Sequence, residues 1–396
     1  MTHSTASIKM PRSVKQLLFG CMIFGLAIFL LGLFIAPKRI WPNFLIAEYY
    51  LIGLGLGATF FIAIQYTSNG GWATAIRRIP EAMSSTLTLA GVGILILFFG
   101  IHTLYEWSHE AVVAQDAILL EKRVWLNEPF FIARLVGYFV IWIGLSKVIL
   151  KNSYQQDDDA DIKYTRRNVR NSAIFILIGA YTVCLASFDL LMSLQPHWYS
   201  TIFGFLNIAG IFLSSLAMIA ILIILLRKIG YEHIFTADHL QTVGNMMLAF
   251  CVFWVYMWVS QHMLIWYSNL PEETSYYIFR HFGGWGTLSL LNVVLNWLIP
   301  FFVLMPRFCK RHDKTMLQVS IVILVGHWLD LYIMVMPTVY GAYPMFHIWE
   351  IGPIVGMLAL FFWAVFQRLK KHNLTPVNDP YLVESLPQHM SKHVTM

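Results

Sequence analysis

Charge is scarce in this chain: Asp, Glu, Lys and Arg make up 12% of 396 residues, against 58% apolar residues. So little charge cannot cover a water-soluble surface, which excludes a soluble globular enzyme. Cysteine is scarcer still, and the four residues Cys21, Cys184, Cys251 and Cys309 form neither C-x-x-C nor C-x-x-C-H. Their scatter argues against an iron–sulfur cluster or covalently attached haem held by this chain. Long polar connections are missing too, so no soluble domain of useful size is expected. The net charge of +6 is accounted for by topology, and a nucleic-acid reading has no support.

What the chain has instead is long apolar runs. Ten charge-poor stretches, each about the 20 residues needed to cross roughly 30 Å of hydrocarbon, lie near residues 17–36, 44–66, 84–104, 130–150, 172–191, 202–226, 243–267, 285–304, 317–337 and 349–366. Lipid offers no partner to free backbone groups, so each is expected to cross as an α-helix. The expected fold class is an all-α integral membrane protein, one membrane domain over 1–396. It comprises an N-terminal segment 1–16, a ten-helix region 17–366 and a tail 367–396. Lys9, Arg12 and Lys15 precede a first run too long for a signal peptide and without an A-x-A site, so it reads as an uncleaved helix. Threading from a cytoplasmic N-terminus puts roughly 21 of the 27 Lys and Arg inside, which places both termini in the cytoplasm. Lys38 and Arg39 are the exception.

The connection between the third and fourth runs carries an amphipathic stretch with Val112, Val113, Ile118, Leu119, Leu120 and Trp125, suited to lie in the headgroup region. Asp157, Asp158, Asp159 and Asp161 read as solvated, as does the tail with Pro376, Pro380 and Pro387. Trp41, Trp107, Trp125, Trp198, Trp266, Trp285 and Trp349 fall at predicted outer ends and read as interfacial anchors.

An ionisable group at the centre of a spanning helix costs at least about 2.5–3.5 kcal/mol, so each invites a role and a partner. Glu48 opens the second run; His102 and Glu106 close the third; Arg134 lies one turn into the fourth; Asp189 is near the end of the fifth. His262 is near the outer end of the seventh and Glu350 opens the tenth. His327 and Asp330 in the ninth lie deeper and, at i and i+3, share a face on which an imidazole and a carboxyl can pass a proton. A buried pair that locks packing is the alternative. These eight acidic and histidine residues are the proton-path candidates; Arg134 reads as half of a structural ion pair with Asp189, Glu48 or Glu106. In the seventh run Tyr256, Ser260, Met263 and Tyr267 form a stripe that suits a quinone or water or else polar packing between helices, with Asn245 further in, and Asn292 and Asn296 in the eighth read first as packing. Two of His102, His262 and His327 facing each other would suit a b-type haem, but His327 is expected well inward of the other two, and His102 and His262, which match in depth, lie near the surface. No metal-ligand set and no quinone-binding residue can be assigned.

Four passages together resemble one family: GWATAIRRIPEAM at 71–83, SFDLLMSLQPHWYST at 187–201, SQHMLIWYSNLPEET at 260–274 and GHWLDLY at 326–332. They are similar to the smaller NrfD-like (polysulfide reductase family) membrane subunit of alternative complex III, a bacterial quinol:cytochrome c oxidoreductase. The resemblance spans the second to ninth runs in order. It implies two four-helix bundles, helices 2–5 and 6–9, flanked by helices 1 and 10. It also implies a bacterial cytoplasmic (inner) membrane location and several partners: a larger NrfD-like paralogue, an external iron–sulfur protein, c-type cytochromes and small helical subunits. Iron–sulfur clusters and c-type haems would then sit in those partners, and quinol or quinone interaction is implied by homology only. His327, Asp330 and Asp189 fall in the matching passages. The alternatives are a stand-alone secondary transporter and a membrane anchor for another iron–sulfur reductase, such as a polysulfide enzyme.

Overall fold

The structure, a computed structural model, describes residues 10–281 and 283–386. Lys9, Pro387 and the ends of the two terminal segments lie outside the described residues. The described residues form helices and connections without strands, and ten helices are long and apolar enough to cross a membrane. They are α1 (Arg12–Ile35), α2 (Pro37–Thr67), α3 (Arg78–Leu104), α4 (Glu128–Asp158), α5 (Lys163–Leu194), α6 (Ile202–Tyr231), α7 (Ala237–Ser268), α8 (Trp285–Leu304), α9 (Asp313–Val335) and α10 (Ile348–Leu369). An even number of crossings brings the starts of α1, α3, α5, α7 and α9 to the same end as the finish of α10. That end is called here the termini end, and the opposite one the far end.

The helices α2 and α6 are apolar on every side, and a helix without a polar face belongs inside. They pack against each other at the centre, with α3, α5 and α10 against α2 and with α7 and α9 against α6. Their approach is set by small residues: a Cβ on Gly57 would stand 2.2 Å from Ser215 Oγ, and that hydroxyl donates to the Gly53 and Leu54 carbonyls at 3.1 and 3.2 Å. In lipid such close packing and inter-helix hydrogen bonding replace the hydrophobic drive available in water. The same device joins α1 to α10, where a Cβ on Gly25 would meet the Gly356 Cα at 2.5 Å. Between α4 and α5 the contacts are polar: Trp142 to Thr182, Asn152 to Asn168 and Gln156 to Thr165, at 2.8, 2.9 and 2.8 Å.

Several expectations are corrected. The second helix begins at Pro37 rather than near 44, so Lys38 and Arg39 lie in its first turn and Glu48 is not at its opening. Glu48 stands 11 residues in, roughly 16 Å along the axis. The tail is not solvated: Asp379, Leu382 and Ser385 are buried. Its fold follows from two arginines buried at the start of α3. Arg77 pairs with Asp379 and bonds Tyr66, while Arg78 holds Glu81 and Asp157, both at 2.5 Å. Both guanidinium groups are buried and paired with carboxylates that offset their desolvation, which holds the tail and Asp157 in place; the Val377 N–H and the Asn378 amide also bond the Asp157 side chain and carbonyl. Asp158, Asp159, Asp161 and Pro380 are exposed as expected. Of the tryptophans read as anchors, Trp41, Trp107, Trp198 and Trp285 are buried. They pack on Phe29, on Tyr105 and Phe131, on Tyr276, and on Tyr332, respectively. The stretch after α3 folds into short helices, Glu110–Val113 and Ala117–Lys122, which bury Val113 and Leu119 and leave Val112, Ile118 and Leu120 outward.

Candidate functional site

The deepest polar cluster is built on α9. Asp330 is buried, accepts from the Asn292 amide at 2.7 Å and from Trp254 Nε1 at 3.2 Å, and so ties α9 to α8 and α7. Asn296 reaches back to the Asn292 side-chain oxygen at 2.6 Å. The local geometry comes from Pro300. Its ring clashes with the carbonyl four residues earlier and it lacks the N–H that would bond there, and α8 widens into a π-helical turn over Val294–Leu298. Such turns are frequent at functional sites. Opposite it, Gly326 leaves the room that Asn296 fills, since a Cβ there would stand 2.9 Å from the amide.

From Asp330 a cavity of about 40 Å³ opens toward the far end, lined by Asn292, Ser289, Gln261, Arg280, His262 and His281 among others. A water needs roughly 10–15 Å³ of such space, so the cavity has room for two or three. Its walls are chemically suited to them: Gln261 Nε2 and His262 Nδ1 are buried without a hydrogen-bond partner. Arg280, on the amphipathic helix Pro271–His281 between α7 and α8, is buried over the Tyr276 ring. It donates to the Ile333, Met334 and Tyr276 carbonyls and to Gln195. It thereby satisfies carbonyls at the C-terminal end of α9, where a cation is favoured. Among the described residues it has no carboxylate within ion-pair distance. It and Asp330 are the two groups of formal charge lining the cavity.

At the cavity's mouth, His262 Nε2 and His281 Nε2 are 2.9 Å apart, and His281 Nδ1 lies 2.9 Å from the Tyr277 carbonyl. A carbonyl only accepts, so a neutral His281 carries its proton on Nδ1 and accepts on Nε2. His262 then donates through Nε2 and leaves Nδ1 as an open acceptor. A proton arriving at Nδ1 of His262 can therefore leave through Nε2 to His281, which is exposed. Burial pushes the Tyr277 phenol well above its ordinary value, so this ring stays neutral beside the pair.

The remaining predicted residues fall elsewhere. His327 is buried beneath the Tyr50 ring, and a Cβ on Gly210 would stand 3.0 Å from its Nδ1; both its nitrogens lack hydrogen-bond partners. It shares a helix face with Asp330 but no hydrogen bond. Glu48 is fully buried with both oxygens unpartnered, in space left by Gly93 of α3. Asp189 forms the ion pair expected of Arg134: it accepts from Arg134 Nε at 3.0 Å and Nη2 at 2.8 Å, from Tyr138 at 3.0 Å and from Trp125 Nε1 at 3.1 Å. Glu350 caps the start of α10 and is held by Arg39, Asn43 and Tyr340. His102 in the last turn of α3 and Glu106 on the connection after it are exposed, the former bonding Ser108 at 3.1 Å.

The stripe of Tyr256, Met263 and Tyr267 faces outward, at 61, 61 and 86% exposure, and Asn245 is exposed as well. The inward face of α7 is Trp254, Trp258, Gln261 and His262. Sequence reasoning missed Trp254, Gln261, Arg280 and His281; the signal was the helical spacing of 254, 258, 261 and 262 opposite the tyrosine stripe. Of the three histidines considered for haem, His102 bonds Ser108, His262 bonds His281, and His327 has no hydrogen-bond partner. Among the described residues no group of three His, Cys, Asp or Glu is placed to hold a metal ion. Compared with known proteins, the chain matches no family model and no curated protein.

Proposed function

We propose that this chain is a membrane subunit of a respiratory quinol:cytochrome c oxidoreductase of the alternative complex III type, where it scaffolds the assembly and conducts protons to the outer face. The observation that carries the proton role is the cavity that joins Asp330 to the His262–His281 pair. A carboxyl at depth, room for water and a directional imidazole pair at the surface are the parts a proton exit needs. In this reading both termini are cytoplasmic, as the distribution of Lys and Arg supports, and the far end is the outer face. The central contact between α2 and α6 supports an arrangement of helices 2–5 and 6–9 as two bundles flanked by α1 and α10. The protein resides in a bacterial inner membrane beside a larger NrfD-like paralogue, an external iron–sulfur protein, c-type cytochromes and small helical subunits. The partners hold the clusters and haems and do the redox chemistry.

Affinity purification of the tagged full-length chain from native membranes tests this assignment. Recovery of iron–sulfur and c-haem subunits with quinol:cytochrome c activity is expected. A colourless homo-oligomer would overturn it in favour of a secondary transporter, which the π-helical turn beside Asp330 would suit, since such proteins place sites at interrupted helices. Partners of a polysulfide type would assign the chain to another reductase of the same superfamily.

A further inference from the structure

At the termini end a second, much larger cleft opens between α3, α4, the turn after α6, and α10 with the tail that follows it. Its volume is about 1550 Å³, beyond the roughly 300–1,000 Å³ of an ordinary small-ligand site. The rim is cationic. Lys147 and Lys151 stand one turn apart on α4, and Arg368, Lys370 and Lys371 close the opposite wall at the end of α10. Two carboxylates also line it, Asp157 and Asp158, and Asp157 is already bound by Arg78 at 2.5 Å. The four lysines have no hydrogen bond or ion pair from their side chains among the described residues. The Arg368 guanidinium lies over the Tyr154 ring with its Nε buried and unpartnered. The interior is of another character: Leu89, Leu150, Ile234 and Trp363 are apolar, and Ser84, Ser85, Thr88 and Ser146 add hydroxyls.

The cleft reaches into the hydrocarbon of one leaflet. From the start of α3 to Leu89 is 11 residues, roughly 16 Å at 1.5 Å per residue. The apolar part of that helix starts near residue 84, so Leu89 lies roughly 7 Å into the hydrocarbon, and Lys147, 11 residues before the end of α4, is at a similar level. A cleft that reaches into the hydrocarbon with apolar residues beside unneutralised cations has the character of a site for a complete lipid rather than for a free anion. Long lysine stems also let the charges reach the headgroup level while the stems stay among apolar neighbours. We infer that this cleft is a binding site for an anionic phospholipid, with the phosphate among Lys147, Lys151, Lys370 and Lys371 and an acyl chain along Leu89, Leu150 and Trp363. The inference stands apart from the respiratory assignment, because it uses none of the residues of the far-end cavity.

The test is lipid titration of the purified full-length protein, read by thermal stability and by native mass spectrometry. The probes are phosphatidylglycerol, phosphatidylcholine, inorganic phosphate and a short-chain quinone. Phosphatidylglycerol is expected to bind at least about ten-fold more tightly than phosphatidylcholine, and Lys147→Ala with Lys151→Ala to remove about that factor. Arg166→Ala with Arg167→Ala, exposed at the same end but outside the cleft, is expected to leave the preference intact. Should the α4 variant fail to accumulate, Lys370→Ala with Lys371→Ala at the rim gives the same reading. Equal binding of the two lipids would overturn the proposal, as would equal loss from both arginine and lysine pairs. So would an equal response to inorganic phosphate alone, or displacement of the lipid by the quinone.

Discussion

Replacing Asp189 by Asn removes the one carboxylate that Arg134 pairs with among the described residues while leaving the side-chain shape nearly unchanged. The wild-type carboxylate accepts four hydrogen bonds, two from Arg134 and one each from Tyr138 and Trp125, and the pair is 7% and 0% exposed. Removing one partner of such a buried pair costs about 3–5 kcal/mol, because the other charge is left uncompensated. Here the guanidinium keeps the Trp125 carbonyl at 2.8 Å and the Trp125 and Phe130 rings at 4.2 and 4.4 Å. Each ring returns roughly 0.5–1 kcal/mol, which puts the expected loss near the low end, about 3 kcal/mol. Arg134→Met with Asp189→Leu removes both charges and is expected to cost less than either single charge-removing change. The assay is unfolding of the purified protein in mixed detergent micelles across the double-mutant cycle. A loss below about 1 kcal/mol for Asp189→Asn, or additive losses in the double variant, would refute the structural role and return Asp189 to the proton-path candidates.

Three further outcomes follow from other contacts. Gly25→Leu drives a side chain into the α10 backbone at Gly356 and is expected to cost about 1–3 kcal/mol by overpacking, measured as a lowered unfolding midpoint. Asp379→Ala leaves Arg77 buried without its carboxylate and is expected to release the tail, so that limited proteolysis cuts after Lys371 faster than in the wild type. The hydrogen bond with His197 and the bonds from the Leu119 and Ile118 N–H groups hold the Asp116 carboxyl below its ordinary value. Its contribution is complete above the ordinary carboxylate range and is lost as pH falls through that range and below. The protection of residues 117–122 against hydrogen exchange, taken relative to the intrinsic rate at each pH, should fall below about pH 4 and should hold constant between pH 6 and 8.

The ten crossings could be read from the sequence because lipid leaves a long apolar run no choice but a helix. Arg134 could be read for a related reason, since a cation one turn into a spanning helix must find a carboxylate. Contacts distant in sequence were not legible. Arg39 stood only as an exception to the charge asymmetry, outside a second run read from near 44, yet it lies in the first turn of α2 and is held by Glu350, 311 positions away, and Glu48 was placed too shallow. The tail looked solvated because its prolines and polar residues carry no trace of the buried arginines waiting for Asp379. His281 was missed because its helix, Pro271–His281, is amphipathic and short and so lies outside every apolar run. His327 and Asp330 were correctly placed on one face, but periodicity says nothing about partners. Trp254 and Asn292 hold the carboxyl, and the imidazole stands alone.

Proton output per electron in the assembled complex, compared between wild type and Asp330→Asn, tests the central claim most directly. Asn keeps the size of the side chain and an oxygen for Asn292 or Trp254, so assembly and the bound haem spectrum are expected to survive while outward proton release per electron falls. Normal assembly with unchanged proton release would contradict the account and leave Asp330 as a buried packing contact.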